Sequence, residues 1–86
     1  MPLFYFHIRK ERAYVEDIEG EAFPDFDAAK VNAEESILAL VAEQVKAKVT
    51  VDIRAIEICD RQHEVVAVIS TGEVLPKVIP PSILQG

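Results

Sequence analysis

The chain has one cysteine, no tryptophan, three glycines and two histidines in its 86 residues. A lone cysteine, Cys59, excludes an internal disulfide. Cys59, His7 and His63 show none of the spacings of a zinc motif, so no metal site is expected. There is no Gly-rich phosphate loop, Walker motif or Ser-His-Asp signature, so no catalytic or cofactor-binding residue is assigned. Basic charge is scarce: nine Lys and Arg stand against 15 Asp and Glu, a formal net charge of −6. The cations are scattered along the chain, densest at Arg9-Lys10-Glu11-Arg12, whereas phosphate binding needs them clustered. Nucleic acid is therefore not an expected partner. No apolar run approaches the ~20 residues of a membrane helix. Met1-Pro2-Leu3-Phe4 lacks the basic start of a signal peptide. The expectation is a cytoplasmic protein with no membrane partner.

Half of the residues are hydrophobic, 50%, which argues for a filled core or a buried interface and against disorder. The length suits one domain. A chain this short buries only roughly two-thirds of its unfolded surface, so its stability margin is thin. Small domains make up the difference with disulfides, a metal or self-association. With the first two lacking a basis here, a homo-oligomer is expected, a dimer before larger forms.

Leu3 to Arg9 alternates as a strand does. Phe4, Phe6 and Ile8 share one face and should meet the core. Leu3, Tyr5, His7 and Arg9 share the other and should meet water or a partner. Lys10 to Ala13 reads as a hairpin turn and Tyr14 to Ile18 as the return strand. Gly20 suits a positive φ, and Asp17 before it suits a turn in which a carboxylate accepts nearby backbone N–H groups. Glu21-Ala22-Phe23 reads as a short extended piece ahead of Pro24.

Asp25 is the best helix N-cap. The periodicity predicts a helix from about Phe26 to about Lys48, with Phe26, Ala29, Ala33, Ile37, Leu40, Val41 and Gln44 in the core-facing stripe. A second partial stripe, Val31, Leu38, Ala42 and Val45, would suit a helix–helix contact between subunits. Val49 to Cys59 contains the third strand, clearest from Arg54 to Cys59, in which Glu57 points away from Ile56 and Ile58. Asp60 to His63 is a turn. Val65 to Ser70, almost unbroken apolar, reads as an interior strand covered on both faces. Thr71-Gly72 ends it. The remaining residues hold Pro76, Pro80 and Pro81, which argues against a strand or helix there.

The fold class expected is α+β: an antiparallel β-sheet with one helix across one face, in ββαββ order, over residues 1–70. A Pro-containing apolar C-terminal tail, 71–86, would lie along its own domain or a neighbour.

Phe4-Tyr5-Phe6-His7-Ile8-Arg9, Asp17 with Gly20, Phe23-Pro24-Asp25, the alanines at 28, 29 and 33, and Ile56-Glu57-Ile58 with Asp60 resemble a group of small bacterial proteins of unknown function. Members open with an aromatic-aromatic-His-Ile-Arg strand and continue with Asp-x-x-Gly, a Pro-Asp helix start and a closing hairpin. The resemblance runs from Leu3 to Ile69 and implies a fold without an activity. Two departures stand out. Arg61-Gln62-His63 occupies a turn where the family has Gly, and the apolar tail after Ser70 is longer than the family's usual end. The arrangement is also similar, at the level of fold alone, to the N-terminal domain of HicB-type antitoxins.

Candidate chemistry is sparse. His7 and Arg9 share a strand face and could grip an anion, but an ion or hydrogen-bond pair with Glu16 or Asp17 across the hairpin accounts for them more simply. Cys59 with His63 lacks the orienting network of a thiol nucleophile and reads as a small buried hydrophobe. The expectation is a non-enzymatic interaction module acting through self-association or a protein partner. Its candidate face is Tyr5, His7 and Arg9, with the tail as a second contact. An antitoxin-like regulator is the alternative.

Overall fold

The computed structural model describes residues 1–84 of the chain. Five strands form one antiparallel sheet: β1 (Leu3–Lys10), β2 (Tyr14–Val15), β3 (Glu21–Ala22), β4 (Ile53–Cys59) and β5 (Val65–Ser70). The main helix α1 (Phe26–Lys46) follows the first three strands, and α2 (Thr71–Val78) and the short α3 (Pro81–Leu84) follow the last. The α+β class and the helix on one sheet face are as expected from the sequence. No described helix is long and apolar enough to cross a membrane.

The sheet runs in the order β2-β1-β4-β5, and β3 shares the outer edge of β1 with β2. β2 pairs with Ile8 and Arg9, and β3 with Leu3 and Phe4. The return strand is shorter than Tyr14 to Ile18 because Asp17 takes over at its end. Its carboxylate accepts the Phe6 N–H at 3.1 Å, inside the gap between the two short strands. The other carboxylate oxygen accepts from Glu19 and Gly20, at 3.2 and 3.1 Å. Gly20 has φ 73°, and a Cβ there would lie 3.0 Å from the Phe4 carbonyl oxygen. The chain thus turns back onto β1 at a point that only glycine fits without strain.

Asp25 caps α1 as expected, its carboxylate accepting the Ala28 N–H at 2.8 Å. Ala29, Ala33, Ile37 and Val41 are the buried stripe, set against Phe4, Ile56, Ile58 and Ile69 of the sheet. The helix stops two residues short of Lys48. Lys48 adopts φ 60° and donates to the Val45 carbonyl, while Val49 donates to that of Gln44. This is a left-handed cap with lysine in the place glycine usually fills, so the terminus carried no glycine to mark it.

Two expectations are overturned. β5 is an edge strand, not an interior one: β4 is its sole strand partner among the described residues, and Val65, Val66 and Val68 are 52%, 46% and 40% exposed. Its apolar run resembles a strand covered on both faces but lacks the cover. The interior strand is β4, whose seven residues are all buried except Arg54. The tail, secondly, begins with a helix. Ser70 accepts the Glu73 N–H at 3.2 Å, and the Glu73 side chain accepts the Ser70 N–H at 2.8 Å. That reciprocal cap starts α2 despite Pro76. The proline sits in the second of two turns, where it removes one bond, to the Gly72 carbonyl, from a helix already anchored at its start. Val74 is buried in the main core, and Thr71 Oγ1 donates to the Ile53 carbonyl at 2.7 Å. Lys77 Nζ donates to Glu34 Oε2 at 2.7 Å across the helix layer. Leu38, assigned to the second stripe of α1, packs against this core together with Leu75. Val31 and Val45 of that stripe are exposed. Beyond α2, Ile83 is exposed, and the end of the tail, Gln85 and Gly86, lies outside the described residues.

Val74→Ala should therefore lower the stability of the whole domain by roughly 2 kcal/mol in one cooperative denaturant transition. A tail independent of the core would leave the midpoint unchanged. Lys48→Gly should raise stability by up to ~1 kcal/mol in the same assay, by relieving the left-handed lysine.

Candidate functional site

The helices lie on one face of the sheet, and the face carrying Tyr5, His7 and Arg9 has no helix over it. Strand register places His7 beside Glu57, Arg9 beside Ala55, and Tyr5 beside Cys59, while Tyr14 of β2 stands next to Arg9. Val68 of β5 is across from Glu57. Side chains opposite one another share a face, so this surface gathers Tyr5, His7, Arg9, Tyr14, Glu57 and Val68.

Its center is buried although no helix covers it. Glu57 is 7% exposed and His7 5%. Glu57 accepts a hydrogen bond from the Tyr14 hydroxyl at 2.9 Å and a charged one from Arg9 Nε. Burial alone would push the Glu57 carboxyl up, but the bonds from Arg9 and Tyr14, with the charge of Arg9, outweigh it and hold it below its ordinary 4.5. Tyr14 shows the converse. Burial, then the bond to Glu57 and its negative charge, push the phenol up from 10.0 to about 12. The phenol stays protonated and keeps donating.

His7 is held from the other side. Its Nδ1 accepts the backbone N–H of Asp17 at 2.9 Å, which requires that nitrogen to carry no proton. Asp17 therefore bonds both Phe6 and His7 of β1, one through its carboxylate and one through its N–H. Burial pushes the Asp17 carboxyl up, yet the N–H groups of Gly20, Phe6 and Glu19 outweigh that and hold it below its ordinary 3.8.

The rings form a row. His63 stacks on Tyr5 with centroids 4.4 Å apart and planes at 25°. Tyr5 lies parallel to His7 at 6.4 Å, and His7 meets Tyr14 at 5.8 Å. His63 has φ 65°, the conformation a glycine would supply in that turn. Asp60 makes it tenable by accepting from Gln62 and Glu64 at 2.9 and 3.0 Å. Cys59 is buried, and its thiol is pushed up by that burial and by the charges of Glu57 and Asp60. Activation of a thiol runs in the opposite direction. Among the described residues there is no cluster of three or more metal-ligating side chains.

The structure thus brings together Tyr5, His7 and Arg9, but in unequal roles. Tyr5 is half-buried, Arg9 exposed and His7 buried. His7 was expected to meet water or a partner. It is instead enclosed by Tyr14, Tyr5 and the Asp17 backbone, so a substitution there would report on folding before it reported on any contact. Arg9 bonds Glu57, not Glu16 or Asp17. Sequence reasoning missed Tyr14, Glu57 and the three valines of β5. The available signal was Glu57 itself, a lone charge among Ile56, Ile58 and Cys59.

Both depressed carboxyls stabilise the fold above their unfolded values, 4.5 for Glu57 and 3.8 for Asp17. That stability is lost as pH falls below these values and through the lower folded ones. The contribution of these two carboxylates to the denaturant unfolding free energy should thus be intact above about pH 5 and decline below about 4. Asp17→Asn should cost roughly 2 kcal/mol at neutral pH and flatten the decline. An unchanged acid profile would dissociate Asp17 from it.

The model of a family described as a domain of unknown function, DUF6894, matches residues 3–72. No curated protein and no solved structure matches the chain. The match spans the whole sheet, α1 and the first two residues of α2, and the chain belongs to the DUF6894 family.

Proposed function

We propose that this protein is a non-enzymatic interaction module that acts by binding a protein, either a copy of itself or a different chain. The observation that carries the reading is the helix-free face. Its ionisable groups are turned inward onto one another, with Glu57 bonded by Arg9 and Tyr14 and His7 bonded by Asp17. What remains outward is Arg9, Tyr14, Val65, Val66 and Val68, with Tyr5 half-exposed beside His63. Tyrosine and arginine around a desolvated center, with aliphatic neighbours, match the composition of protein-binding surfaces. The network beneath fixes the rotamers of these side chains before any partner arrives, which lowers the entropic cost of association. No observation favors the antitoxin-like alternative.

A photo-crosslinking phenylalanine analog at position 5 or 63 tests the reading in cells that express the full chain. Both positions should capture protein, a second copy included, and the same analog at exposed Glu35 on α1 should not. Equal capture at all three positions, or none at 5 and 63, would overturn it.

A further inference from the structure

The two edges of the sheet are built in opposite ways. The β1 edge is blunted. β2 and β3 are two residues each, the Asp17 carboxylate occupies the backbone position between them, and Glu16, Glu19 and Glu21 line the segment. Short strands and inserted charges are how proteins prevent edge-to-edge pairing. β5 has neither. It is six residues long, carries no charge and no proline, and exposes Val65, Val66 and Val68. Among the described residues no group other than β4 bonds the backbone of Val65 to Ile69. Alternate N–H and C=O groups along that stretch face away from β4. α2 leaves β5 at Ser70 and packs with α1, on the opposite side of the sheet from Val68.

We infer that β5 is the pairing edge for a second copy of this chain, joined antiparallel about a two-fold axis into one continuous sheet. This rests on the interaction-module reading and names its partner. An open backbone edge is a ready template for an extended strand. Charge sets where a second copy can approach. At −6, two identical molecules repel, and they can approach where neither carries charge. β5 is such a stretch, bounded by Glu64 and Glu73. A two-fold axis at Val68 maps the strand onto itself, so exposed Val68 meets Val68 of the copy, a favorable β-branched cross-strand pairing. The register shift opposite Ile58 and Cys59 bends the first residues of β5. Regular pairing is then centered on Ala67 to Ile69, with Val65 and Val66 packing beside it.

Light scattering after size exclusion, on the full chain from micromolar to millimolar concentration, should give a mass rising to twice 9.6 kDa. Val68→Lys and Val66→Lys put charge on an exposed edge and leave the core intact, which circular dichroism and melting would verify. Each should weaken dimerisation at least about tenfold. Amide exchange should slow at β5 as concentration rises and stay constant at β2 and β3. A monomer at every concentration, a dimer indifferent to both lysines, or slowed exchange elsewhere would overturn the inference. So would a strand of a different protein captured on β5 while this chain stays monomeric. The module reading is judged separately: a monomer that still crosslinks another protein through positions 5 and 63 would sink the dimer alone.

Discussion

A carboxylate buried in the middle strand governs the helix-free side of this domain. Glu57 belongs to a strand whose other buried residues are all apolar, and taking its charge out of water is costly unless the charge is paired and hydrogen-bonded. No helix supplies those partners. They come from one side of the sheet: Arg9 from β1, the adjacent strand, and Tyr14 from β2, the strand beyond it. Tyr14 can reach only because the hairpin brings β2 back alongside Arg9. His7 then fills the space beside Glu57, and its imidazole is pinned by the Asp17 backbone. Loss of Glu57 would leave three polar groups arranged around nothing.

The same hairpin explains why one sheet edge is closed. Asp17 serves three backbone N–H groups with two oxygens, substituting a side chain for a missing stretch of strand. Acidic residues that look like plain surface charge in the sequence therefore act as a termination device. β5 receives no such treatment, and the molecule has a finished side and an unfinished one.

How much of this could be read beforehand follows from the range of the interactions. Local features were legible. Asp25 as a cap, Asp17 with Gly20 as a turn, the alternation of Phe4, Phe6 and Ile8, and the stripe through Ala29, Ala33 and Ile37 are decided within a few residues. The left-handed ends at Lys48 and His63 were not, because neither is glycine and each is held by bonds that only folding brings together. α2 was obscured by Pro76, although Ser70 and Glu73 stand at capping-box spacing and outweigh it. For β5, an apolar run is compatible with burial on two faces or with exposure on one, and only the strand order separates them. His7 and Glu57 lay on the face expected for each, but their burial depends on Tyr14 reaching across from a strand two residues long.

Ser70 ends β5 and caps α2 with no linker between them. The strand and the helix therefore share a joint with no slack, and local opening of one strains the other. Fraying of α2 would release the Thr71 hydroxyl from the Ile53 carbonyl, Val74 from the core and the cap at Ser70 in a single event. It would thereby loosen the last rung between β5 and β4. The sheet's open edge and a two-turn helix on the far side are in this way held by one joint at Ser70.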